Sequence, residues 1–131
     1  MGTPDIHVAV VDDDESLCRS MSRFLRAASL SPVVFGSAED FLADKRREDF
    51  DCILLDVHLD GMSGLELHEK LTASGDSTPV IFITAHDAPE VREQAVSAGC
   101  SAFFRKTDSG GAVLAAIRDA VNARAKLARR A

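Results

Sequence analysis

The sequence has no tryptophan and no tyrosine; seven phenylalanines are its only large aromatic rings. An interior built from it should be mainly aliphatic. Cysteine is also scarce. Cys18, Cys52 and Cys100 are odd in number, widely spaced, and free of any CxxC pair or Cys/His ligand cluster. A disulfide framework and a zinc knuckle are therefore excluded, and the three read as reduced, mostly buried thiols of a cytosolic protein. No apolar run approaches the roughly 18 residues of a membrane span, and nothing before the first strand reads as a signal peptide. Excess positive charge is missing too. Fifteen Lys and Arg stand against 21 Asp and Glu, a net charge of −6. The body of the chain is not a general nucleic-acid binder. Neither an internal repeat nor a low-complexity segment is present.

What is there suits one domain. The chain has 131 residues, 46% of them hydrophobic, enough to bury a core without staples. Apolar runs alternate with amphipathic stretches five times. Strands are predicted at Ile6–Val11, Pro32–Phe35, Cys52–Leu55, Val80–Thr84 and Ala102–Phe104. The clearest are almost uninterrupted in hydrophobicity, as interior strands of a parallel sheet are. Leu17, Met21, Phe24, Leu25 and Ala28 form one helical stripe. Ser37 and Ser63 read as N-caps of the next two helices, the second ending near Gly75. A fourth helix runs from about Pro89 to Ala98 and stops at Gly99, and a fifth begins near Gly110 with Val113, Ile117 and Val121 inward. Five βα units predict a single doubly wound α/β sheet, five parallel strands with helices on both faces. Residues 1–5 read as a polar leader, 6–124 as the domain, and 125–131 as a basic helix end or the start of a linker.

In such folds the site lies beyond the carboxyl ends of the strands. Asp12, Asp13 and Asp14 follow the first strand, and Asp56 ends the third. Clustered carboxylates resist ionisation unless something positive sits among them, and a hard divalent cation such as Mg2+ is the usual answer. Thr84 ends the fourth strand and Lys106 lies just past the fifth. Asp12 and Asp13 are candidate metal ligands, Asp56 a ligand and nucleophile, Lys106 a mobile positive charge, and Thr84 a hydroxyl donor. Together they suit phosphoryl transfer to a carboxylate. Asp14 reads instead as the cap of the first helix. His7 and His68 read as surface or boundary residues.

The segments VVDDDESL (10–17), LLDVHLDGMSGLEL (54–67), VIFITAHD (80–87) and AGCSAFFRK (98–106) resemble the receiver domain of two-component response regulators. The resemblance implies the flavodoxin- or CheY-like fold with strand order 2-1-3-4-5. It implies that Asp56 accepts a phosphoryl group from a histidine kinase or histidine phosphotransfer protein. It also implies that Asp12, Asp13, Asp56 and the backbone carbonyl of His58 hold Mg2+, and that Thr84 and Lys106 contact the phosphoryl oxygens. Phe103 corresponds to the aromatic whose rotamer tracks Thr84, although plain core packing explains it as well. Gly64 corresponds to the glycine of the loop after the acceptor strand. The output face would be the fourth helix, fifth strand and fifth helix, where a homodimer can form on phosphorylation. DNA would be reached only through an output domain absent from this chain. The phrases FLA and GMSGLEL are similar to receivers that precede a helix-turn-helix domain, and a single-domain regulator fits equally well.

Three departures from the family pattern stand out. Thr107 follows Lys106 where the family commonly has a proline in a cis peptide. Asp60 stands where the family often has proline, four residues after the acceptor. His58 and His86 occupy positions that line access to the acyl phosphate, where imidazoles could make its lifetime depend on pH. Two other functions compete: an Mg2+-dependent phosphohydrolase with an aspartyl nucleophile, and a receiver-like docking module that never takes phosphate. The hydrolase would want a carboxylate two residues after Asp56, where this chain has His58.

Overall fold

The computed structural model describes residues 5–85 and 88–130, with the side chains of 128–130 left aside. Most of the polar leader, His86, and the side chains of Arg129 and Arg130 lie outside the described residues. Five strands form one parallel sheet: β1 (His7–Val11), β2 (Ser31–Phe35), β3 (Cys52–Leu55), β4 (Val80–Thr84) and β5 (Ala102–Arg105). Their order is β2-β1-β3-β4-β5, so the chain reverses direction of travel across the sheet after β2. Val11 pairs with Phe35 on one side and Leu55 on the other. That register decides what happens one residue later. The Asp12 N–H donates to the Phe35 carbonyl and the Asp56 N–H to the Val11 carbonyl, both at 3.0 Å. Asp12 and Asp56 therefore leave the sheet side by side.

The helices are α1 (Glu15–Ala27), α2 (Ala38–Ala43), α3 (Gly64–Ala73), α4 (Pro89–Ser97) and α5 (Gly110–Arg130). The capping expectations hold. Asp14 accepts from the Ser16 and Leu17 N–H groups, and Ser37 from that of Asp40. Ser63 and Glu66 form a reciprocal capping box. Pro89 opens α4, and Gly75 and Gly99 follow α3 and α4 as stops. α5 runs on through Arg124 to Arg130 without a break.

Two cores lie on the two faces of the sheet. One packs Cys18 and Leu25 of α1 and Val113 and Ile117 of α5 against Val8, Val10, Leu54, Ile81 and Ile83. The other packs α2, α3 and α4 against Ala9, Val11, Ile53, Leu55 and Phe82. Here two expectations need correction. The interior is less purely aliphatic than the composition implied: Phe35, Phe41, Phe50, Phe82 and Phe103 are all buried, and all on this second face. His68 is not a boundary residue. It is buried at 6% exposure, with its ring edge-on to Phe82 at 5.5 Å. The helical stripe of α3 turns position 68 inward beside Leu67 and Leu71, and the wide apolar face of β4 accepts an imidazole there. Among the described residues no helix is long and apolar enough to cross a membrane.

Candidate functional site

At the carboxyl edge of the sheet Asp12 (3% exposed) and Asp56 (5%) are buried, and Asp13 is exposed. One carboxylate oxygen from each lies within 4.8 Å of the others. Lys106 reaches into this group. Its Nζ stands 3.1 Å from Asp12 Oδ2 and 3.2 Å from Asp56 Oδ2. The lysine is aimed by the strand that precedes it, because its N–H donates to the Thr84 carbonyl at 2.9 Å. The Lys106–Thr107 peptide is trans. The turn closes without proline: the Arg105 N–H donates to Asp108 Oδ2 at 2.8 Å, and the Asp108 N–H returns a bond to the Arg105 carbonyl at 3.0 Å.

The electrostatics are unbalanced. Burial pushes the Asp12 carboxyl above its ordinary range and the charge of Asp56 pushes it further, against the Asp14 N–H and Lys106, which pull it down. Burial alone would lower the Lys106 ammonium, but its bonds to Asp12 and Asp56 outweigh that and hold it above its usual value. Three carboxylates and one ammonium leave about two negative charges when all are ionised, beyond what a single lysine can neutralise. The donor set is oxygen alone, the set that a hard divalent cation takes. The nearby thiol, Cys18 Sγ, is occupied: it donates to the Asp12 carbonyl at 3.3 Å, and burial with the neighbouring acids pushes it up to about 11. Asp12, Asp13 and Asp56 thus fit a Mg2+ ion.

The loop from Asp56 to α3 is tightly held. Gly64 is buried, and a Cβ there would run into the Asp56 carbonyl and meet Val57 Cα at 3.0 Å. Only glycine lets α3 begin this close to the end of β3. The His58 N–H donates to Asp56 Oδ1 at 3.1 Å, and the imidazole of His58 is exposed. Thr84 is fully buried at the end of β4. Phe103 is buried, 6.2 Å from the Phe82 ring, with the Arg92 guanidinium of α4 at 5.5 Å from its centroid. The fold thus brings Asp12, Asp13, Asp56 and Lys106 into one cluster, and places Thr84 and His58 on the strand and loop that border it. Two participants escaped the sequence reading. Cys18 looked like any helical core residue, and Glu39, whose Oε2 accepts from the Met62 N–H at 2.9 Å, looked like any exposed helix acid.

A family model for the response regulator receiver domain matches residues 8–118. The chain belongs to this family. The receiver is 35% identical over 114 residues to the response regulator protein TodT of Pseudomonas putida, covering 87% of this chain and 50% of that one. It is 34% identical over 111 residues to the transcriptional regulatory protein FixJ of Azorhizobium caulinodans, covering 85% and 53%. The chain therefore spans about half the length of these curated relatives. Among solved structures it superposes on the response regulator StyR with a TM-score of 0.84 at 38% identity, over 97% of this chain and 65% of that one. A CheY-like receiver from Methanospirillum hungatei JF-1 gives a TM-score of 0.86 at 24% identity, over 94% and 98%, a likeness of fold. This is the receiver domain of a two-component response regulator, a signalling module, and its sheet order is that of CheY-like receivers.

Proposed function

We propose that Asp56 is the phosphoacceptor, taking a phosphoryl group from a histidine kinase or a histidine phosphotransfer protein. The observation that carries this is the position of the Lys106 ammonium, in contact with both Asp56 and Asp12 at the edge of a three-carboxylate cluster. An Asp56 oxygen attacks phosphorus, the new O–P bond forms as the N–P bond of the phosphohistidine breaks, and the imidazole keeps the electron pair. Asp12, Asp13, Asp56 and the His58 carbonyl would hold Mg2+, which when bound neutralises charge on the equatorial phosphoryl oxygens. Lys106 follows the charge as it moves from carboxylate to phosphoryl group, and Thr84 donates to the new oxygens. The acyl phosphate carries roughly −1.5 to −2 of charge where the carboxylate carried −1; the added charge and new oxygens draw Thr84 inward, and Phe103 adjusts beside it.

The α4–β5–α5 face then changes shape, biasing a two-state element. That face would carry a phosphorylation-dependent homodimer, and DNA would be reached only through an output domain. The module would work in the cytoplasm, where its kinase presents phosphohistidine. Exposed His58, and His86 outside the described residues, would tune the lifetime of the acyl phosphate.

The test is intact-mass measurement after incubation with Mg2+ and acetyl phosphate. One phosphoryl adduct is expected, lost in Asp56→Asn. Continuous hydrolysis of many phosphate esters would establish the phosphohydrolase instead. A folded protein that takes no adduct would establish the docking module.

A further inference from the structure

The segment between Asp56 and α3 has an unusual set of partners. Four of its backbone N–H groups donate to four carboxylates from four parts of the fold. His58 donates to Asp56 at 3.1 Å, Asp60 to Asp13 Oδ2 at 3.4 Å, Met62 to Glu39 Oε2 at 2.9 Å, and Ser63 to Glu66 at 3.4 Å. The shortest of these comes from Glu39, an exposed residue in the first turn of α2, 23 positions away in sequence. Its carboxylate also lies flat against Gly61, whose φ is +76°, and a Cβ at Gly61 would meet Glu39 Oε2 at 2.6 Å. Bonding to the Met62 N–H holds the Glu39 carboxyl below its usual range.

Asp60 stands one residue before this grip. Proline there would fix the backbone and remove the N–H. With aspartate the loop is freer, and its N–H has become a donor to Asp13, the exposed member of the carboxylate cluster. An exposed carboxylate without an orienting partner samples many rotamers. Ordering it when a cation binds costs side-chain entropy.

We propose that Glu39 is a positioning residue for the cation site: by clamping Gly61 and Met62 it keeps the Asp60 N–H on Asp13, and so pre-orients Asp13 as a ligand. This rests on the Mg2+ site proposed above. The role belongs to the hydrogen bond, not to the charge of Glu39. A glutamine in its place keeps an oxygen acceptor, whereas an alanine does not.

The test is Mg2+ binding by the full chain without phosphodonor, followed by amide chemical shifts, since the protein has no tryptophan to report. Partners of metal ligands typically contribute about 10–100-fold in affinity, and Glu39 is one step further removed, so Glu39→Ala should raise the dissociation constant about three- to tenfold. Glu39→Gln should stay within about twofold of wild type. Hydrogen exchange at Met62 should accelerate in Glu39→Ala alone. Equal affinities for wild type and Glu39→Ala would overturn the proposal, as would equal weakening in Glu39→Gln and Glu39→Ala, which would make the effect one of charge. A wild-type chain that binds no Mg2+ would overturn the site reading itself, and the role of Glu39 with it.

Discussion

The two faces of the sheet are built from different materials. The α1/α5 face is mainly aliphatic, with Val8, Val10, Leu25, Ile81, Ile83, Val113 and Ile117 in its core and two rings, Phe24 and Phe104, partly buried against it. The α2/α3/α4 face holds all five buried rings, with Phe35 edge-on to both Phe41 (5.4 Å) and Phe50 (5.8 Å). Branched aliphatic side chains have few rotamers and interlock, which makes a rigid support. The rings of the second face instead meet in directional edge contacts. The second face also carries the proposed switch residue Phe103 and its neighbours Phe82 and Arg92. The response proposed at α4, β5 and α5 would therefore span both faces, with Phe103 on the ring-bearing side and Ile117 of α5 on the aliphatic side.

This contrast can be broken or sharpened by mutation. The largest effect should come from the aliphatic face. Ile117→Ala removes a fully buried side chain and should cost about 2–5 kcal/mol in urea unfolding. The folded fraction should still bind Mg2+ as wild type does. A loss below about 1 kcal/mol would show that the aliphatic face is not rigid and can collapse around a cavity. Next comes Gly64→Ala, where the added methyl meets Asp56 backbone rather than a flexible tip. About 1–3 kcal/mol of destabilisation is expected, together with slower phosphorylation in the mass assay. Normal stability would mean that α3 can shift away from β3.

Phe103→Leu should cost less than about 1.5 kcal/mol, because it nearly conserves volume. Its signature is different: amide shifts caused by acetyl phosphate should stop short of α4. If they spread as in wild type, Phe103 is ordinary core and the faces differ only in composition.

The smallest effect concerns His68. Burial lowers its pKa below the usual 6.5, and its Nδ1 is buried without a hydrogen-bond partner. A depressed folded pKa means that the unfolded chain binds the proton better, so this contribution is present above pH 6.5 and is lost as pH falls below it. His68→Gln should flatten the stability profile between about pH 6.5 and 5. Profiles that superimpose would show that the imidazole takes its proton as easily folded as unfolded.

Much of this molecule is legible without coordinates. Each strand is a short run of mostly apolar residues, and the first three helices are capped by a Ser or Asp just before an amphipathic stretch, at Asp14, Ser37 and Ser63. These are local signals, and local hydrogen bonding obeys them. The candidate acids are legible for a related reason. In an α/β sheet a polar residue directly after an apolar strand has nowhere to go but the carboxyl edge, so Asp12 and Asp56 could be placed together before any distance was known. The family resemblance extends over the same segments.

The remainder depends on how distant elements meet. Glu39 in sequence is one more exposed acid in a first helical turn. Only the packing of α2 beside the loop between β3 and α3 puts its carboxylate on the Met62 N–H. His68 has a charged neighbour on its C-terminal side and reads as a boundary residue; only the rotation of α3 on β4 buries it. Five of the seven rings gather on one face from β2, α2, the loop before β3, β4 and β5, an arrangement that no single segment encodes. By itself, then, the sequence determined the secondary structure, the fold class and the candidate acids, because those follow from the hydrophobic period and from where a strand ends. Tertiary structure alone decided which side chains meet around that cluster and which face gathers most of the rings, because contacts across 20 or more residues depend on packing that no local pattern records.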